Sequence, residues 1–511
     1  MSAYDRLADY LRATDRLRAA SGLLGWDQET LMPPGGSAHR GAVLAELAAV
    51  LHRRESGPEL GDLLAAAEAE AEAECPGVDS VATHEAARDL RLARLAYEQA
   101  TRLPVELVTR IAEQRTRSMT AWQRAREEQD FKHFLGPLDQ TLRLQQELAD
   151  TWLADPPPSL SQPWAERWDV LAEQYERGLR ATDVERVFAR LMPPLAELTD
   201  ALLEQQARLG TAEVPDHHVP RSVQEPLITA LLSGLGFDWG RGRLDASAHP
   251  FCSGTHPTDV RLTTCYRSDD LFDSLGSAVH EAGHGMYEQG LPLGGAGLPH
   301  AAAAGLSIHE SQSRLWENHV GRSEAFWAWA LPRLQAVTGD TFTGLTPADV
   351  GSALNRVQPS LIRIQADEAT YHQHIGIRFH LERRLLNGDL DAAELPEAWN
   401  TLYHQRLGVV VPDDASGCLQ DIHWSMGAFG YFPTYTLGTL YAAQFFAAAE
   451  GALGPQAQAF ASGDFAPLLG WLRTHVHAAG SLYDTDDLCR RVTGSTLDPV
   501  HFLDHLRGRL D

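Results

Sequence analysis

The chain has 511 residues, 44% of them hydrophobic, enough for one large helical body or for two or three domains. A formal net charge of −26 argues against nucleic acid or an anionic membrane as the main partner. No run of 18 apolar residues occurs, and the five cysteines form neither a CxxC pair nor a short even framework, which excludes a membrane-spanning helix and a disulfide scaffold.

The opening "MSAYDRLADYLRATDRLRAA" alternates charged and apolar residues at helical spacing and lacks the uninterrupted apolar core of a secretory signal. A cytoplasmic protein with free thiols at Cys75, Cys252, Cys265, Cys418 and Cys489 is expected. Residues 1–150 are rich in Ala, Leu, Glu and Arg, the composition of long surface helices. Within them, "LLAAAEAEAEAECPG" (63–77) is biased toward strong helix formers and predicts an exposed helical hairpin. "ADPPPSLSQPW" (154–164) is the clearest break, because clustered prolines end helices. It suggests an N-terminal helical region, 1–155, and a second helical region, 156–511, within one continuous body.

Helical patterns then resume, interrupted by "VPDHHVP" (214–220) and an irregular stretch at 240–260. "DVRLTTCYR" (259–267) has the β-branched and aromatic content of a strand. With no regular repeat and no alternating βα pattern, the expected fold is mainly α, with a small sheet beside the next helix.

That helix carries "SAVHEAGHGMYEQG" (277–290). Leu271, Leu275, Ala278, Val279, Ala282 and Met286 recur at helical spacing, and Gly290 is a natural stop. With 22 histidines in the chain, a chance His-Glu-x-x-His is expected roughly 0.06 times, so context decides. His280 and His284 stand one turn apart and can reach one ion, while Glu281 is placed to take a proton from water. An amphipathic helix with a polar face is the alternative, but Gly283 and Gly285 weaken it by roughly 1 kcal/mol each. Glycine there is easier to explain if another element approaches closely. A catalytic zinc takes three protein ligands and keeps one position open. Glu310, in "HESQSRLWENHVGRS" (309–323), is the natural third ligand; taken alone it also reads as a helix-start carboxylate. His309, beside it, points elsewhere on a helix.

Six segments in order, "HPF" (249–251), "DVRLT" (259–263), "HEAGH" (280–284), "HESQ" (309–312), "IRIQAD" (362–367) and "GCLQDIHW" (417–424), resemble the carboxypeptidase Taq family of metallocarboxypeptidases. "WDQETLMPPGG" (26–36) and "GYFPTYTLG" (430–438) look like family segments as well, so the resemblance covers essentially the whole chain. It implies removal of C-terminal residues from peptides, a helical zinc-peptidase fold with a deep central groove, and a homodimer.

A carboxypeptidase must recognise a free C-terminal carboxylate, and the planar fork of arginine suits that task. Arg363 in "IRIQAD" is the leading candidate, with a structural pair to Asp367 as its alternative and Arg261 as its rival. Arg261 could equally pair with Asp259. His423 and Tyr435 are candidate donors to the oxyanion, each with a core-packing alternative, and Asp421 is a candidate to orient His423. His249 either touches substrate or braces the metal helix.

The expected enzyme holds one Zn²⁺ (Co²⁺ or Mn²⁺ could substitute) on His280, His284 and Glu310. It hydrolyses the last bond of peptides with a free C-terminus and broad specificity, with Glu281 as base. An endo-acting zinc oligopeptidase or dipeptidase on a similar fold is the first competitor, and a helical scaffold with an inert HEAGH is the second.

Overall fold

Residues 1–73 and 81–510 are described by a computed structural model; Cys75 and the end of the 63–77 segment lie outside them. Long helices form where strong helix formers run unbroken. The first, Ala3–Thr30, begins at a capping box in which Ser2 Oγ accepts from Asp5 N at 2.9 Å and the Asp5 carboxylate accepts from Ser2 N at 2.9 Å. The Ala/Glu-rich segment does enter a helix, Pro58–Ala73, which buries Leu60, Leu64 and Ala67 against Ala3 and Leu7 rather than standing free.

The chain forms two compact units. One comprises Met1–Ala100, Thr211–Leu354 and Tyr441–Leu497; the other comprises Thr101–Gly210, Asn355–Leu440 and Asp498–Asp511. The proline cluster at 154–164 is therefore not a boundary between them. It turns the chain sharply inside the second unit, and Trp152 stacks on Trp164 across the break, with ring centroids 6.1 Å apart. The core of that unit is built from large rings, Phe134, Trp168, Trp399, Tyr403, Phe429 and Phe432 among them.

In the first unit, three strands form the one sheet among the described residues: β1 (Gly242–Ala246), β2 (Cys252–His256) and β3 (Asp259–Thr264), in the order β1-β3-β2. β3 is central, parallel to β1 and antiparallel to β2. It ends at Thr264, three residues before the end expected from sequence, and the stretch at 240–260 that reads as irregular supplies both flanking strands. Val260 and Leu262 are fully buried, and β2 and β3 lie against the helix Leu271–Glu288. Gly285 permits this approach, because a Cβ there would come within 2.8 Å of both Leu262 and Phe237.

The architecture is mainly α with a small sheet beside the HEAGH helix. No described helix is long and apolar enough to cross a membrane. Cys252, Cys265, Cys418 and Cys489 carry free thiols.

Candidate active site

The helix Leu271–Glu288 starts at Asp270, whose carboxylate accepts from Asp273 N at 3.0 Å, and it presents His280 and His284 one turn apart. A second helix, Leu306–Arg314, brings Glu310 to the pair. Glu310 Oε2 lies 3.7 Å from His280 Nε2 and 3.5 Å from His284 Nε2. These separations are long for direct hydrogen bonds. They approach the roughly 3.3–3.5 Å edge of a tetrahedron whose ligands stand about 2.0–2.1 Å from a common centre.

Both imidazoles are oriented from behind. His280 Nδ1 donates to Glu317 Oε2 at 2.8 Å, and His284 Nδ1 donates to the His309 carbonyl at 3.0 Å. Nδ1 is thus the engaged nitrogen on each ring, and Nε2 is the one left to face a cation. Glu317 also accepts from Arg314 at 3.0 Å and Arg322 at 2.8 Å, and Arg314 Nε reaches Glu310 Oε1 at 2.8 Å. Burial by itself would raise both carboxyls, but Arg314 and the neighbouring cations outweigh it and hold them below the usual carboxylate range. The trio is a donor set fit for a divalent metal: two imidazoles and one ionised carboxylate, with ligand atoms within 4.8 Å of one another.

Two features draw the helices together. A Cβ at Gly283 would stand 2.6 Å from the Gln312 carbonyl oxygen, so the crossing is backbone against backbone. Gln312 is anchored in turn by a 2.9 Å hydrogen bond between its Oε1 and His477 Nε2. Beyond Arg314 the helix widens into a π-turn over Leu315–Gly321, a geometry frequent at functional sites, and this turn carries Glu317. Glu317 and its arginines are absent from the sequence reading. The available signal was its spacing, two helical turns after Glu310.

Glu281 is not among the three clustered donors. It is 7% exposed, its Oε2 has no hydrogen-bond partner, and burial pushes its carboxyl up to about 7. His309 is a neighbour of the site: its Nε2 bonds Glu288 Oε1 at 2.9 Å while its carbonyl holds His284.

Of the remaining candidates in the first unit, Arg261 is committed to Asp259, at 2.9 and 3.1 Å, and lies 4.4 Å from the Trp26 ring. His249 is exposed on the bend after β1.

The second unit gathers Arg363, Asp421, His423 and Tyr435. Arg363 is 6% exposed; its Nε and Nη2 donate to Asp421 Oδ1 at 3.0 and 2.8 Å, and its Nη1 donates to Tyr371 Oη at 2.9 Å. The Tyr435 ring lies 5.0 Å from the guanidinium carbon. The alternative pair with Asp367 is not formed. "IRIQAD" makes only a short turn at Arg363–Gln365, so helical spacing does not apply, and Asp367 instead accepts from the amides of Ala369 and Thr370.

Asp421 does not orient His423 as expected. Its two oxygens are taken by Arg363 and by the fully buried Arg378, which donates from Nε to Oδ2 at 2.7 Å. Burial would raise its carboxyl, but the two guanidiniums hold it well below the usual range. His423 Nε2 instead lies 3.3 Å from Tyr435 Oη, and its buried Nδ1 has no hydrogen-bond partner. Burial brings His423 down to about 4, so the ring is neutral at pH 7.

Comparison with known proteins agrees with this chemistry. A family model for carboxypeptidase Taq (M32) metallopeptidases matches residues 6–510. Thermostable carboxypeptidase 1 of Thermus thermophilus is 40% identical over 508 residues, covering 99% of this chain and 98% of the relative. Carboxypeptidase 1 of Bacillus subtilis is 28% identical over 501 residues, covering 98% and 96%. Among solved structures, an M32 carboxypeptidase from Deinococcus radiodurans matches with a TM-score of 0.92 at 35% identity, covering 99% of this chain and 98% of that one. A Pyrococcus furiosus carboxypeptidase matches with a TM-score of 0.93 at 32% identity, covering 100% and 99%. Because these matches run nearly end to end, the chain belongs to the carboxypeptidase Taq (M32) family and is a metallocarboxypeptidase.

Proposed function

We propose that this enzyme removes single residues from the C-terminus of peptides of broad sequence, using zinc held by His280, His284 and Glu310 and Glu281 as general base. The observation that carries the reading is Glu281 Oε2, a buried acceptor without a partner beside the ligand trio. When bound, the metal supplies Lewis acidity, which polarises a carbonyl and acidifies water. Cobalt or manganese would satisfy the same donors.

Glu281, buried and with Oε2 unpartnered, takes a proton from the attacking water and returns it to the leaving amine. Glu317 and the His309 carbonyl keep the imidazoles in one tautomer and orientation throughout. His423 or Tyr435 donates to the developing oxyanion. Arg363 holds the terminal carboxylate and so fixes which bond is cut. A guanidinium has five N–H groups, and the bonds to Asp421 and Tyr371 use three, leaving two for a substrate carboxylate. Asp421 then acts as the brace that aims Arg363. A cytoplasmic homodimer is the setting we propose.

Paired peptides test the reading. Amidating the C-terminus should lower wild-type kcat/KM by about 10²- to 10³-fold, the cost of losing one partner of a desolvated charge pair. Arg363→Ala should do similar damage to the free acid while narrowing the gap between acid and amide, and Arg363→Lys should recover only part. Metal content should stay constant throughout. Efficient internal cleavage of peptides blocked at the C-terminus would instead establish an endo-acting enzyme.

A further inference from the structure

One buried acid in the second unit serves none of the roles above. Glu382, on the helix Tyr371–Asn387, is fully buried, and its carboxylate meets three donors. Oε1 accepts from the Trp424 indole N–H at 2.8 Å. Oε2 accepts from the Trp168 indole at 3.2 Å and from the backbone N–H of Gly430 at 3.1 Å. Burying a carboxyl costs free energy that an apolar side chain of similar size would not. Its worth lies in what it holds.

Two of the three donors bracket one segment. Trp424 directly follows His423, and Gly430 opens the turn that leads to Tyr435. Gly430 has φ +82°, and a Cβ there would meet Ala172 N at 2.6 Å, so the turn is pressed against the end of the helix Arg167–Ala172. That same helix supplies Trp168, the third donor. Just outside the two anchors, the His423 ring lies 4.5 Å from the Phe432 ring, and its Nε2 is 3.3 Å from Tyr435 Oη.

We infer that Glu382 is a positioning residue for the reaction: through Trp424 and Gly430 it fixes both ends of the turn that His423 and Tyr435 flank. The inference rests on the proposed role of those two side chains as donors to the oxyanion. Glutamine at 382 keeps the shape but replaces one acceptor oxygen with an NH₂ group. Every partner is a donor, so one anchor is lost whichever way the amide turns.

The test is a kinetic cycle on the metal-loaded enzyme. Glu382→Gln should lower kcat by about 10- to 100-fold, part of the 10²- to 10³-fold that an oxyanion donor contributes, with KM changed less than about threefold and metal content unchanged. Trp424→Phe, which removes only the Oε1 donor, should move kcat the same way by less, and it serves if Glu382→Gln fails to fold. The decisive measurement repeats Glu382→Gln in a His423→Ala/Tyr435→Phe background, where its effect should shrink to about twofold, because a group that acts through others has nothing left to position. A full kcat for Glu382→Gln or Trp424→Phe overturns the inference, as does a loss that multiplies undiminished in that background. If the His423→Ala/Tyr435→Phe enzyme itself keeps wild-type kcat, the oxyanion reading fails and takes this inference with it. If that enzyme is crippled but the losses multiply, the inference alone fails.

Discussion

Replacing Gly283 with alanine would place a methyl group 2.6 Å from the Gln312 carbonyl oxygen and 2.7 Å from Ser313 Cα. Ordinary contact begins near 3.4 Å, so the two helix backbones must part by roughly 0.8 Å. Both neighbours are main-chain atoms, and Ser311, Gln312 and Ser313 are fully buried, so no flexible side-chain end can absorb the strain. Alanine gains about 1 kcal/mol of helix propensity over glycine, while overpacking costs about 1–3 kcal/mol, which leaves a net loss of about 0–2 kcal/mol. Metal affinity should respond more strongly. Glu310 rides on the displaced helix while His280 and His284 stay, and Oε2 now stands 3.5–3.7 Å from the two Nε2 atoms. A shift of several tenths of an ångström exceeds the tolerance of about 0.2 Å in ligand distances. Competition titration against a chromophoric chelator should show affinity reduced by about 10- to 100-fold, the size of an outer-shell defect. Thermal unfolding of the metal-stripped protein should change by only a few degrees (about 0–2 kcal/mol). Wild-type affinity, or a metal-free melting temperature raised as propensity alone would dictate, would refute the reasoning.

Glu281→Gln should retain the metal by elemental analysis while losing nearly all turnover, because in the proposed mechanism it removes the base and no ligand; metal loss from a folded variant would assign Glu281 to the ligand set. Glu317→Gln should leave the three ligands in place yet weaken metal binding by about 10- to 100-fold, read by the same chelator titration, since His280 Nδ1 loses its charged acceptor. Glu382 should mark the pH dependence of folding. Burial raises its carboxyl from 4.5 to about 7, so its contribution is fully present below about pH 4.5 and is lost as pH rises through about 7. Between those limits wild type should lose about 3 kcal/mol relative to Glu382→Gln, measured as the difference in urea unfolding free energy at pH 5 and pH 8; a pH-independent difference would show that the buried acid does not titrate there.

Legibility in the sequence follows the range of the interactions. The HEAGH helix reads within two residues of its end because its apolar stripe is local, and Gly283 reads as a point of close approach because glycine is costly there without one. Glu310 is suggested by the chemistry of zinc, which calls for a third ligand after the helix, and it lies beside His280 and His284. β1 and β2 are another matter. "GRLDA" and "CSGTH" carry little strand signal of their own and are strands because β3 pairs with both edges. The proline cluster ends a helix, while the Trp152–Trp164 stack joins the two sides of it within one unit.

The partners of Asp421 lay beyond any local rule, and they alter how Arg363 is understood. Helical spacing offers Asp367 as its partner, four residues away, whereas the partner present is Asp421, 58 positions along the chain. Asp421 has a second claimant in Arg378, so one carboxylate stands between two buried guanidiniums. Glu382 is committed to two indoles and the Gly430 amide, and His423 is neutral, so neither supplies a contact charge to Arg363. The two guanidiniums share the single carboxylate of Asp421, and Glu382 lies close enough to act on Arg378, so the charge left to balance sits on Arg363. A peptide carboxylate on the two free N–H groups of Arg363 would complete the balance; an amide would bring no charge to do so. The bond to Asp421, which at first sight removes Arg363 from contention, is on this reading what keeps the guanidinium fixed and in need of an anion. The preference for a free C-terminus would then follow from charge balance within the second unit. That makes Asp421→Asn a sharper probe than the loss of Arg363 itself. It removes the brace but raises the net positive charge, so it should loosen the positioning of the terminal carboxylate, seen as a lower kcat, while the discrimination of acid over amide persists.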